Sequence, residues 1–409
     1  MAERYLLALP IQQQAVFDPA FHNEIQHPRR VQLAQDDRVR FDMLFERQSL
    51  PLRDEVAWRI VTEHDRRQFL QIAQTEYLSM STGKMQFMFA AAVEGYEVNM
   101  THQNSAHNPL YQDIDRPEDF TAFWDETLQH LARVPARIQQ EQIRRHGAIN
   151  HSVVQFQSLD HVTIRGYLLH WDDNEKRPLV VYTHGYNGEC DVLWAWARAG
   201  FNILGFDTRG FGQSPVERHE SWILTGIESP GSSIIRGALC DYIRAVDVAR
   251  ETCSQGTSRT LAYGYSFGGA MALMSQALAP VADMVTAGVP SFGWMAGRRR
   301  LVEKGSGFEV NQYLHANPLQ ELPVMNTLSY FDTANFAESI RQPTLIGIGM
   351  NDIVVPPDTV FAISNRLACP HRVMTFPFSH SDHEDERLWK EFEQAWQAMI
   401  VSGELPGPQ

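Results

Sequence analysis

Ser266 stands in Gly264-Tyr265-Ser266-Phe267-Gly268, after the apolar run RTLAYGY and before FGGAMALMSQAL. A strand that turns directly into a helix forces the residue at the turn into a strained backbone. Only residues without Cβ let the neighbouring chains approach closely enough to allow it. The serine is then held at a helix N-terminus, where it can serve as a nucleophile toward a carbonyl. Attack on a carbonyl puts negative charge on its oxygen, which in such an architecture is met by the N–H of the residue after the nucleophile and by an N–H from the loop after an earlier strand. Those donors are the backbone amides of Phe267 and of Tyr186, the latter in LVVYTHGYNGE. His184, in the same stretch, is read as a support for that loop rather than as an acid or base.

A serine nucleophile also needs a base and a group to orient it. PTLIGIGMNDIVVPP reads as a strand and a turn carrying Asp352, where α/β folds gather their functional groups. Asp332 and Asp358 rank below it, one in an irregular insertion and the other inside the next predicted helix. The chain order Ser, acid, His then calls for a histidine after the last strand. The segment TFPFSHSDHEDE offers His380 and His383, and spacing alone does not choose between them. With Asp382 and Glu384 the pair could contribute ligands to zinc. A metal would need a further ligand, and the chain has no HExxH motif. The expectation is therefore no metal and no organic cofactor, since serine, imidazole and backbone amides suffice for acyl transfer. Glu384, Asp385 and Glu386 are expected to favour the start of the final helix through its dipole.

The elements that must position these groups are legible from about residue 140 onward. Short β-branched runs (SVVQFQS, VTIRGYLLH, RPLVVYTH, FNILGFD, RTLAYGY, DMVTAGV, PTLIGIG and HRVMTFP) alternate with helical patterns. In SSIIRGALCDYIRAVDVARETC, Ile234, Ile235, Leu239, Tyr242, Ile243, Val246 and Ala249 recur at helical spacing. This is the habit of an α/β fold with a mostly parallel sheet. The segment from about 290 to 332 fits neither pattern and is a candidate cap over a site. Residues 1–110 read as a mainly helical extension, as in DEVAWRIVTEHDRRQFLQIAQTEYL, and HNPLYQDIDRPED marks the boundary with a catalytic domain over 111–409.

Composition limits the partners. The 409 residues carry a formal charge of −14 and are 44% hydrophobic. An acidic chain is poorly suited to nucleic acid or an anionic membrane, which reward clustered Lys and Arg. No stretch approaches the ~20 apolar residues of a membrane span. Four scattered cysteines (Cys190, Cys240, Cys253 and Cys369) and the lack of a secretory pattern at the N-terminus suit a cytoplasmic protein with a small-molecule substrate.

From LYQDIDRPEDFTAFWDETL to near the C-terminus the chain resembles the acetyl xylan esterase and cephalosporin-C deacetylase family of α/β-hydrolases. The matching stretches include PEDFTAFW, HGYNG, DTRGFGQS, RGALCDYIRAVD, GYSFGG, TLSYFDTANFA and IGMNDIVVPPDTVFAISNRL. The resemblance implies a catalytic histidine immediately before a glutamate, here His383 in DHE, with Ser266 and Asp352 completing a triad and the Tyr186 and Phe267 amides forming the oxyanion hole. It also implies an acetyl ester as substrate. The family usually has Gln where this chain has Phe267, a change expected to make the acyl pocket more apolar. It usually has glycines after the His-Glu pair, where this chain has Asp385 and Glu386.

The expectation is thus a serine esterase on an α/β-hydrolase fold, acting on a small-molecule or sugar ester. An acyltransferase, thioesterase or C–C bond hydrolase would use the same triad, and a non-catalytic binding protein would share only the fold. The N-terminal extension would cap the site or form the interface of a homo-oligomer.

Overall fold

The computed structural model describes residues 113–253, 256–377 and 386–407. The extension expected over 1–110, and both His380 and His383, lie outside the described residues. Nine strands form one sheet: β1 (Gln139–His146), β2 (Ile149–Gln157), β3 (Thr163–Trp171), β4 (Arg177–Thr183), β5 (Asn202–Asp207), β6 (Thr257–Tyr265), β7 (Met284–Gly288), β8 (Thr344–Gly349) and β9 (His371–Phe376). The helices in chain order are α1 (Phe120–Arg133), α2 (Trp194–Arg198), α3 (Ile234–Thr252), α4 (Phe267–Leu278), α5 (Met295–Leu301), α6 (Ser306–Ala316), α7 (Glu321–Ser329), α8 (Ala334–Ala337), α9 (Pro357–Ser364) and α10 (Glu386–Ser402). No described helix is long and apolar enough to cross a membrane.

The strand order is β1-β2-β3-β5-β4-β6-β7-β8-β9. β1, β2 and β3 pair antiparallel and lead into β5, and from β5 to β9 every pairing is parallel. The parallel strands are apolar because helices cover both their faces. β4 and β6 end side by side, with Thr183 opposite Gly264. Tyr265 is opposite Gly288 and Gly349 opposite Phe376, so the carboxyl ends of β4, β6, β7, β8 and β9 share one rim of the sheet. That rim is where an open α/β sheet presents its functional groups.

The two coverings of the sheet are built differently. α2 and α10 join the sheet in one cluster that holds Val180, Tyr182, Trp196, Phe392 and Trp396 and no residue of α3 or α4. Trp196 and Trp396 meet edge to face at 4.7 Å. Each large apolar side chain enclosed in this way contributes about 1.5–3 kcal/mol. α3 begins at Ser233, whose side chain accepts the Ile235 N–H at 3.3 Å, and it is buried along most of its length. The Tyr242 hydroxyl of α3 binds the carbonyls of Val181 on β4 and Tyr263 on β6, both at 2.8 Å, which fixes the helix against the middle of the sheet.

Two pairs of family-like stretches turn out to be packing partners. Arg209 of DTRGFGQS and Asp241 of RGALCDYIRAVD form a buried ion pair, Nη2 to Oδ1 at 2.7 Å and Nε to Oδ2 at 2.9 Å. Gly237 makes room for it, since a Cβ there would lie 2.0 Å from the guanidinium. Likewise Phe120 and Trp124 of PEDFTAFW pack edge to face on Phe336 of TLSYFDTANFA, with ring centroids 4.9 and 5.6 Å apart.

The segment between β7 and β8 is helical, with α5, α6 and α7 and a short turn at Pro318–Gln320. Its short helices explain the absent periodicity: α5 has seven residues and includes Gly297 and three arginines. β1 was not anticipated either. All eight of its residues are exposed and it pairs only with β2, so it shows no apolar face.

Candidate active site

Ser266 follows β6 and precedes α4 with φ 54° and ψ −115°, a conformation that side-chain-bearing residues rarely adopt. Its neighbours hold it there. The Ser266 N–H donates to the Gly288 carbonyl at 2.8 Å and its own carbonyl accepts the Ser291 N–H at 3.0 Å. A Cβ at Gly264 would lie 2.0 Å from the Gly268 backbone, and one at Gly268 would lie 2.4 Å from the Thr183 carbonyl oxygen. The glycines of the motif therefore answer to backbone contacts within the turn and with the end of β4.

Ser266 is 4% exposed, and its hydroxyl lies 3.3 Å from that of Ser291. Ser291 was missed by sequence reasoning because it opens the irregular insertion. Its place just beyond β7, beside the strand that leads to Ser266, is a signal that could have found it. Its carbonyl accepts from the Thr333 hydroxyl at 3.0 Å, which ties this point to the TLSYFDTANFA turn.

The loop after β4 brings Tyr186 to the same rim. Among the described residues, neither the Tyr186 nor the Phe267 amide donates to a protein acceptor. The first N–H groups of a helix have no partner within it, which leaves the Phe267 donor available. His184 braces the loop. Its Nε2 accepts the Thr208 N–H at 3.2 Å, which assigns the proton to Nδ1, and Nδ1 donates to the Gly185 carbonyl at 2.7 Å. Burial holds its pKa below the usual histidine value and keeps it neutral. Asp207 adds a second brace, accepting from the Cys190 and Gln213 amides at 2.7 and 2.8 Å.

The ring of Phe267 is wholly buried among His184, Tyr186, Phe211, Trp222 and Phe292. Its apolar character is spent on this closed aromatic packing and not on an open wall of a pocket. The Tyr186 hydroxyl accepts the Ile223 N–H at 3.2 Å and donates to the Glu309 carboxylate on α6 at 2.6 Å. Burial first, and that carboxylate second, push the phenol pKa far up, so the hydroxyl stays protonated.

Asp352 lies just past β8 and is 3% exposed. Its Oδ1 accepts the Val354 and Val355 amides, both at 2.8 Å. Its charge also reaches Tyr265, whose pKa is raised chiefly by burial and further by Asp352. The other acids noted in the sequence lie elsewhere. Asp358 is on α9, and Asp332 caps the turn into α5 by accepting the Trp294, Met295 and Ala334 amides at 2.9, 2.6 and 3.0 Å. Ser266, the Tyr186 and Phe267 amides and Asp352 thus all follow strands on one rim of the sheet, and His380 and His383 lie outside the described residues.

A mostly parallel sheet with a serine elbow after a central strand and an acid after a later one defines an α/β-hydrolase. The sequence profile of the acetyl xylan esterase family matches residues 110–398, and the chain belongs to that family. The acetyl esterase Axe7A of Xylanibacter ruminicola is 24% identical over 283 residues. That match covers 64% of this chain and 63% of the relative, so the chain spans less than two thirds of that relative's length. The acetyl xylan esterase of Paenibacillus sp. R4 superposes with a TM-score of 0.64 at 27% identity, over 70% of this chain and 95% of that one. Acetyl xylan esterase 1 of Thermoanaerobacterium sp. JW/SL YS485 gives 0.63 at 23% identity, over 70% and 94%, and shows the fold.

Proposed function

We propose that this chain is a serine esterase that removes small acyl groups, acetyl foremost, from a small-molecule or sugar ester. The observation that carries this reading is the Ser266 elbow at φ 54°, with the Phe267 amide next in sequence and the Tyr186 amide on the loop after the adjacent strand, both without a protein acceptor among the described residues. Membership of the acetyl xylan esterase family supports the acetyl group. The near-complete burial of Ser266, with Ser291 3.3 Å away, leaves little room for a long acyl chain.

In this mechanism the Ser266 hydroxyl attacks the ester carbonyl as His383 takes its proton. The Tyr186 and Phe267 amides receive the charge on the carbonyl oxygen, and Asp352 orients His383 and favours its protonated form. The imidazolium then protonates the leaving alcohol, and water, activated by the same histidine, releases the acid from the acyl-enzyme. The helices between β7 and β8 serve as a cap over the reacting groups, and no metal or organic cofactor takes part. The test is hydrolysis of p-nitrophenyl acetate, butyrate and octanoate by the wild type and by Ser266→Ala, His380→Ala and His383→Ala. Loss of turnover in Ser266→Ala and His383→Ala with His380→Ala active supports the triad. Activity that survives Ser266→Ala, or vanishes with His380→Ala alone, removes it.

A further inference from the structure

Arg298, on α5, is 4% exposed, yet among the described residues no carboxylate lies within ion-pair distance of it. Its Nη2 donates to the Ser306 hydroxyl at 3.2 Å, and its Nη1 has no hydrogen-bond partner. Burial lowers its pKa to about 10, against the pull of Asp332 and Asp352, so it is charged at neutral pH. A buried guanidinium is ordinarily matched by a carboxylate, because desolvating an unpaired charge is costly. The adjacent arginines are less buried and still have acidic partners: Arg299 pairs with Glu321, and the exposed Arg300 with Asp113.

Arg298 also lines a small, part-open cleft with about 20 Å³ of enclosed space. Ile223, Phe292, Met295, Met325 and Leu328 provide apolar walls, and Ser306, Asn311 and Arg299 add polar groups. The cleft borders the candidate active site on two sides. Phe292 follows Ser291 and packs on Phe267, and Ile223 is bonded to the Tyr186 hydroxyl. Apolar walls strengthen any interaction with the charge they enclose. Nη1 itself is shielded from solvent, and the cleft is lined by the pliable side chains of Met295 and Met325.

The geometry points to Arg298 as a specificity determinant that takes a carboxylate on the substrate, so that the preferred ester carries an anionic group on its alcohol portion. This rests on the esterase reading above and narrows its substrate class. The guanidinium fork would give two parallel bonds to the carboxylate, from Nη1 and a neighbouring nitrogen.

The test compares 4-acetoxybenzoate with its neutral methyl ester, using kcat/KM in the wild type and in Arg298→Met, and phenyl acetate as the plain substrate. The expected result is a preference of at least about tenfold for the charged ester in the wild type, erased in Arg298→Met. Equal use of the two esters by the wild type, or a preference that survives Arg298→Met, overturns the assignment. A structural arginine would give a less stable protein on removal. Here Met, which relieves an unpaired buried charge, should raise the melting temperature of the free protein. In Ser266→Ala, which holds the ester uncleaved, calorimetry should show the charged ester bound at least about tenfold more tightly, and equal binding again overturns the proposal. Failure of the wild type to hydrolyse phenyl acetate would count against the esterase reading alone, since the binding ratio in Ser266→Ala still judges Arg298.

Discussion

The Tyr186 hydroxyl donates to the Glu309 carboxylate at 2.6 Å, across 123 positions of sequence, and so joins the loop after β4 to helix α6. Among the described residues, the backbone N–H of the same tyrosine has no protein acceptor. A hydrogen bond to a charged group contributes about 1.5–3 kcal/mol, enough to hold a loop in one position. Glu309→Gln and Tyr186→Phe should therefore lower kcat for p-nitrophenyl acetate by about tenfold while KM changes little, because the amide matters most when charge develops on the oxygen. Steady-state kinetics of both variants checks this. A change in KM alone would mean that the link serves binding only.

Gly264→Ala should be among the most damaging single substitutions. The added methyl would sit 2.0 Å from the Gly268 backbone, which cannot move without displacing the elbow. A loss of several kcal/mol or failure to fold is expected, at the upper end of what overpacking costs. Urea unfolding followed by circular dichroism would measure it.

The Arg209–Asp241 pair predicts an asymmetry between single and double changes. Asp241→Asn leaves a buried guanidinium uncompensated and should cost about 3–5 kcal/mol. Arg209→Met with Asp241→Leu removes both charges and should recover most of that loss. A double-mutant cycle in denaturant would show the coupling.

Asp332 gives the chain a pH dependence of unusual sign for a carboxylate. Burial raises its pKa to about 6, although three backbone amides favour the ionised form. The unfolded value is about 3.9, so the folded protein holds the proton more tightly. Stability from this group is then full below about pH 4 and declines by about 2–3 kcal/mol as pH rises toward and past 6. His184 works in the opposite sense. Its folded pKa is depressed, so its contribution is present above the unfolded value of about 6.5 and falls away as pH drops through the folded value. Denaturation midpoints of the wild type and Asp332→Asn between pH 4 and 7 should differ in slope, the variant losing the decline assigned to Asp332.

Much of this architecture was legible in the chain because the buried parallel strands and α3 carry strong apolar patterns. Ser266 and Asp352 could be placed by the elements around them, since a position at a strand's carboxyl end is a topological fact that strand patterns reveal. Other features leave no such trace. β1 is polar at nearly every residue because only one of its edges is paired and its faces meet water. Arg298, Arg299 and Arg300 are consecutive and chemically identical, yet one is buried without an acid and its two neighbours are paired. Which of three arginines turns inward is decided by the helix's rotation against Ser306 and Phe292, and that is a tertiary choice. Glu309 likewise gains meaning only from the tyrosine it meets.

The stretch from Asp113 to Arg133 works like a strap buckled over the segment between β7 and β8. Asp113 holds Arg300 at 3.1 Å as well as the Trp294 indole, the Asp115 carbonyl accepts from Asn335 at 2.8 Å, and the Trp124 indole reaches the Tyr330 carbonyl at 3.2 Å. Through Thr333 this strap bears on Ser291 and hence on the surroundings of Ser266. A recombinant fragment trimmed to begin at the first strand would lack all of these bonds and should let the turn at 329–336 come loose. The anchors of the turn beside Ser291 thus begin more than 150 positions before Ser266.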